Sequence, residues 1–181
     1  MADTGIIEIA LGGVVRVEDF QHLTRLAAFA PEALEPALCL AVLACFVDED
    51  VARLDEHLRL TNRETDRMRR ALAANGGLRP GLNDHDVRAC LYRLGRETAV
   101  DGVLMAWSRD VSGPDDAAWR ALLDAVRAAE VPVFPVRGRD LVALGVPKGP
   151  DVGETMRTLE GRWIASDFTE SRDSLLALVE S

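Results

Sequence analysis

The residues best suited to chemistry in this chain are basic. Arg137, Arg139 and Lys148 flank a strongly punctuated stretch that runs from Arg137-Gly138-Arg139-Asp140 to Pro147-Lys148-Gly149-Pro150-Asp151. Gly138 to Asp140 opens a helix of about two turns, Gly145 suits the left-handed residue that ends it, and Pro147 forbids its continuation. Gly149 and Pro150 then serve as N-cap and first residue of a second helix reaching about Ala165, with Asp151 against the positive end of its dipole. Free N–H groups at that helix start, with three cations close by in sequence, suit a phosphate. The plain alternative is a helix corner whose Gly and Pro residues only shape the chain, and arginine-rich composition accounts equally for Lys148 being the only lysine. A second basic set is Arg63, Arg67 and Arg70, spaced four and three apart, with Arg59 four residues earlier. The three on the helix share one face, which reads either as a track for a phosphate backbone or as a solvated face with intrahelical ion pairs.

Other chemistries find little support. Three histidines, His22, His57 and His85, invite a metal reading, and His57, His85-Asp86 and a later Asp101 or Asp110 mimic the order of metal-dependent phosphohydrolases. However, His85-Asp86 sits in the first turn of a helix, where acids serve the dipole, and no second pair of ligands joins it. No CxxC, no Gly-x-Ser-x-Gly and no Walker loop occurs. No catalytic residue and no metal ligand is expected. Cys39, Cys45 and Cys90 fall on apolar helical faces and read as reduced core residues of a cytoplasmic protein. Trp107, Trp119 and Trp163 lie on apolar stripes and are expected in the core rather than as base-stacking platforms.

The punctuated stretch, with Val152-Gly153-Glu154 and Trp163-Ile164 after it, resembles the C-terminal tRNA-binding region of bacterial CCA-adding enzymes, the tRNA nucleotidyltransferases of the poly(A) polymerase superfamily. Leu58-Arg59-Leu60-Thr61-Asn62-Arg63-Glu64 is similar to a segment of the same enzymes' helical body. The resemblance implies that the chain grips the acceptor and T arms of tRNA, with Arg137, Arg139, Lys148, Arg63, Arg67 and Arg70 as the RNA-binding residues. It also implies a catalytic head carrying a Gly-Ser loop and an Asp-x-Asp strand, where magnesium, CTP and ATP would act. Gly12-Gly13 and Gly76-Gly77 are not followed by such a strand, and Asp48-Glu49-Asp50 lies between helical patterns. The expectation is therefore a body and tail without the head, holding no cofactor and inactive alone. A stand-alone helical protein-interaction module is the alternative.

The elements that position these residues are helical. Apolar residues recur at three- and four-residue spacing throughout, and Val131–Val136, the one extended candidate, is cut by Pro132 and Pro135. The fold class is all-α, about nine short helices in two helical subdomains with no significant sheet. Thr61-Asn62-Arg63-Glu64 is a capping box, Asp84 and Thr169 are candidate caps, and Pro31–Val47 reads as one helix, apolar nearly all round and hence central. Gly76-Gly77-Leu78-Arg79-Pro80-Gly81 is the clearest breaker-rich stretch, giving a body at 1–75, a linker at 76–83 and a C-terminal subdomain at 84–181. Gly153 and Gly161, inside a helix, call for close approach of another helix or an RNA backbone.

The net charge of −9 opposes general nucleic-acid binding, and no DNA partner is expected. The charge is uneven, however. Residues 1–50 hold nine acids against two arginines, whereas residues 51–98 hold ten arginines against seven acids. No apolar stretch reaches the length of a membrane span, and no basic leader precedes an apolar block at the start.

Overall fold

A computed structural model describes residues 5–179. The chain is all-α: the described residues form eleven α-helices and one 3-10 turn, with no strand. The helices are α1 (Ile6–Leu11), α2 (Val17–Leu26), α3 (Pro36–Ala44), α4 (Asp48–Leu58), α5 (Asn62–Asn75), α6 (Asp84–Leu94), α7 (Arg96–Ser108), α8 (Ala117–Ala128), α9 (Gly138–Ala143), α10 (Pro150–Ala165) and α11 (Arg172–Ala177).

Local chemistry sets most of the ends. Thr61 Oγ1 accepts from the Glu64 N–H while Glu64 accepts from the Thr61 N–H at 2.7 Å, the reciprocal box read from the sequence. Asp116 caps α8 through the N–H groups of Ala118 and Trp119. Two caps sit one or two residues from the expected ones, with Asn83 rather than Asp84 starting α6 and Ser171 rather than Thr169 starting α11. The region 31–47 is not one helix. Pro31–Leu34 is a 3-10 turn, and Glu35 is extended (φ −64°, ψ 126°) because a residue before proline is pushed out of the helical region. Its carboxylate then caps α3 by accepting from the Leu38 N–H at 3.1 Å.

The chain divides into two compact units at Val131–Pro132, not at residues 76–83. The Gly-rich turn lies inside the first unit, because α5 before it and α7 after it form the most extensive helix pairing in the chain. The Leu78 side chain in that turn is itself buried, so the breakers reverse the chain onto its own core rather than separating two domains.

Helix α7, not the 31–47 region, is the axle of the first unit. It packs against α2, α3, α5, α6 and α8, and ten of its residues, from Thr98 to Ser108, are buried. Helix α3 is buried too, through Ala37, Leu38, Ala41, Val42 and Ala44. Trp107 is fully enclosed, stacks on Trp119 at 6.2 Å and donates its indole N–H to the Gly113 carbonyl, so both tryptophans are core residues as expected. The cysteines are free thiols, and burial pushes the Cys45 thiol up to about 12, which leaves it inert.

The second unit is built from α9, α10 and α11 around Val136, Leu141, Leu159, Trp163 and Leu175. Phe134 and Phe168 pack on Trp163 at 5.3 and 4.9 Å. Gly145 takes the left-handed conformation (φ 91°) that ends α9, and the Val146 N–H reaches back to the Leu141 carbonyl at 3.1 Å.

The glycines within helices separate into two kinds. A Cβ on Gly102 would lie 2.6 Å from Leu78 Cδ1 and 2.8 Å from Ala74 Cβ, so this glycine sets how closely α5 and α7 approach. Around Gly153 and Gly161 a Cβ meets nothing within 4 Å, so no neighbouring helix explains them. Gly102→Val should therefore destabilise the protein by about 1–3 kcal/mol through overpacking, whereas Gly161→Ala should stabilise it by about 0.5–1 kcal/mol. Thermal melts of the two variants beside the wild type measure both signs.

Candidate nucleic-acid interface

The six candidate residues fall in both units, Arg63, Arg67 and Arg70 on α5 and Arg137, Arg139 and Lys148 in the second unit. Helix α5 buries Thr65, Met68, Ala71 and Ala74. Arg67 stands four and seven residues before the two alanines, at the margin of that stripe, and its side chain is 14 % exposed. Its guanidinium bonds both carboxylate oxygens of Asp101, Nε at 2.8 Å and Nη2 at 3.0 Å. Glu97 lies 3.0 Å and Glu35 3.4 Å from it.

Arg67 therefore does not belong to a phosphate track. It is spent on three carboxylates from α7 and the start of α3, and the expectation of one basic face formed by Arg63, Arg67 and Arg70 is corrected accordingly. Asp101 is the cause: enclosed in α7, it would be a buried unpaired carboxylate without Arg67. Burial pushes the Asp101 carboxyl up and Arg67 draws it back down. The sequence signal for this pair was an acid beside a glycine, Asp101-Gly102, inside the apolar run 99–107, facing an arginine at the edge of an alanine stripe.

The remaining arginines of this region sort in the same way. Arg69 pairs with Asp48 at 3.2 Å. Arg96 closes the end of α8 by donating to the carbonyls of Val126, Arg127 and Ala129. Arg53 ties Asp50 and the carbonyls of Leu11 and Ala44 together. Arg63 and Arg70 are exposed and make no ion pair among the described residues, although Arg70 Nε donates to the Asp66 carbonyl at 3.2 Å.

In the second unit Arg137, Arg139 and Lys148 are all exposed, and none makes an ion pair among the described residues. Their neighbour Asp140 is the structural residue. It accepts from the Arg137 N–H at 2.8 Å, which caps α9, and from the Arg172 guanidinium at 3.0 Å, which ties α11 to that cap. Lys148 lies in the turn before α10, where Gly149 (φ 119°) and Pro150 start the helix as the sequence indicated. The three cations thus stand on a short loop-and-helix corner whose shape is maintained by groups other than themselves.

No arrangement among the described residues fits a metal centre: no three His, Cys, Asp or Glu side chains converge. His57 is exposed, with Nδ1 2.9 Å from the Arg53 carbonyl, and His22 is half-buried, its pKa lowered by burial. Among the described residues no helix is long and apolar enough to cross a membrane.

Comparison with known proteins adds a second line of evidence. No family model matches the chain. An uncharacterized 28 kDa protein in the petA 5′ region of Rhodospirillum rubrum is 34 % identical over 84 residues, which are 43 % of this chain and 32 % of that protein. The mitochondrial CCA tRNA nucleotidyltransferase 1 of Danio rerio is 39 % identical over 56 residues, 31 % of this chain and 13 % of the enzyme. The mouse enzyme of the same name is 30 % identical over 59 residues, 33 % of this chain and 14 % of the enzyme. The matched segments thus span a third or less of these relatives. The chain carries a distant, local similarity to CCA tRNA nucleotidyltransferases.

Two variants test the division between structural and available charges. Asp101→Ala leaves Arg67 half-buried beside two weaker partners and should cost about 3–5 kcal/mol, whereas Arg63→Ala, on open surface, should stay within about 0.5 kcal/mol. Urea titrations measure both. For Asp140, the Arg172 guanidinium and then the Arg137 N–H hold the carboxyl below its ordinary value. Its contribution to stability is therefore present above the unfolded carboxylate range and is lost as pH falls through the lower folded value. The gap in thermal midpoint between wild type and Asp140→Asn should be constant near neutrality and close as pH drops below about 4.

Proposed function

We propose that this chain is the RNA-holding, C-terminal part of a tRNA nucleotidyltransferase of the bacterial CCA-adding or poly(A) polymerase kind. In this reading it grips the acceptor and T arms of tRNA in the cytoplasm while a catalytic head outside this chain adds nucleotides. The observation that carries the proposal is the local similarity to CCA tRNA nucleotidyltransferases in a chain with exposed cations free of ion pairs among the described residues. Magnesium, CTP and ATP belong to the head in this reading.

The contacts would be to phosphate and shape rather than to base edges. Arginines on solvated surface donate to phosphate oxygens in pairs, and Trp107, Trp119 and Trp163 are enclosed and offer bases no stacking platform. The primary contacts are Arg137, Arg139 and Lys148, with Arg63 and Arg70 on α5. The acidic total is compatible with this because a phosphate backbone responds to local field.

The test is binding of residues 1–181 to a tRNA transcript lacking its 3′ CCA, against a hairpin RNA of equal length, over a salt series. Preference for the tRNA is expected, with affinity falling as salt rises. Changing Arg137, Arg139 and Lys148 to alanine should flatten the slope of log affinity against log salt by roughly one unit for each cation removed. Absence of tRNA binding at low salt would overturn the proposal in favour of a protein-interaction module, and nucleotide incorporation by this chain alone would overturn the assignment of catalysis to a separate head.

A further inference from the structure

We infer that Arg59 is an additional contact to the RNA phosphate backbone, an assignment that rests on the RNA-holding reading above. Arg59 ends α4 with φ 54° and ψ 56°, the left-handed region that disfavours any residue with a Cβ. Among the described residues only Asp167 and Phe168 share this property outside glycine. In their case the chain supplies a return. Phe168 lays its ring edge-on against Trp163 at 4.9 Å and donates its N–H to the Trp163 carbonyl at 2.9 Å, while the Asp167 N–H bonds the Ile164 carbonyl.

Arg59 has no such return from its side chain. Its N–H closes the helix by bonding the Asp55 carbonyl at 2.7 Å, but glycine would make that bond equally well and without strain. The guanidinium is exposed and makes no ion pair or hydrogen bond with any described residue. A disfavoured conformation is thus occupied by a charged side chain whose one service to the fold, a cation at the negative end of α4, needs no left-handed residue, and such an outlier points to a further use outside it. The neighbours indicate which use. In the stretch 59–70, Arg67 and Arg69 are committed to carboxylates, leaving Arg59, Arg63 and Arg70 exposed without ion pairs. A planar guanidinium with paired donors matches a phosphodiester, the repeating anion of RNA.

The assignment predicts opposite signs for stability and binding at one position. In residues 1–181, Arg59→Gly should raise the thermal midpoint by roughly 2–4 °C while lowering the salt slope of tRNA binding by roughly one. Arg59→Lys should leave the midpoint near the wild-type value and retain the slope. Arg25→Gln, which removes an exposed charge from the acidic first part of the chain, should leave the slope unchanged. If wild type binds tRNA and Arg59→Gly binds identically, or if Arg25→Gln flattens the slope as much, the inference fails and the RNA-holding reading stands. If wild type binds no tRNA, both fail together.

Discussion

The first unit depends on one buried ion pair. Arg67 on α5 holds both oxygens of Asp101 on α7, and one residue further along Gly102 lets the same two helices approach until Ala74 and Leu78 would touch any added Cβ. The two features need each other. The close crossing excludes water from the carboxylate, and an excluded carboxylate without a bidentate partner would cost several kcal/mol, so Arg67 has to be there. Glu35 and Glu97 then gather around the same guanidinium, which ties the start of α3 to the α5–α7 crossing.

That arrangement decides which arginines face outward. Ten arginines lie between residues 51 and 98, and as a sequence they look like one basic field. In the folded chain Arg53, Arg67, Arg69 and Arg96 close helix ends and neutralise buried or neighbouring acids. What is presented to solvent is a smaller set, Arg59, Arg63 and Arg70 around α5 among them. The second unit reaches a similar division by a different route. Its core is small and aromatic, Asp140 performs the capping and the tie to α11, and Arg137, Arg139 and Lys148 are left with no structural duty among the described residues. A charge with no task inside the fold costs little to direct at a partner, which is why these residues carry the functional reading.

Much of the local structure was legible in the residue order. The capping box at Thr61 and Glu64, the Gly145 stop and the Gly149-Pro150 start are satisfied within a few residues of chain, and the apolar stripes of α8 and α10 follow from spacing along one helix. Proline determined a break that periodicity obscured, since Pro36 divides a run that is apolar on every side. The three tryptophans were readable as core because each lies on such a stripe.

The sequence by itself thus determined the fold class, most helix ends and which positions are apolar, all consequences of backbone hydrogen bonding and of spacing along one helix. Only the tertiary structure decided the boundary between the units, the central place of α7 and the fate of each arginine. A glycine-rich turn reads the same whether it separates domains or folds a chain back onto its core; the difference lies in Leu78 and Gly102 meeting across twenty-four residues. An arginine on a helix face likewise reads the same whether it meets water or a carboxylate from another helix. Arg67 and Arg63 are one helical turn apart and alike in local context, and it is the position of Asp101 in space that makes one a structural tie and leaves the other exposed.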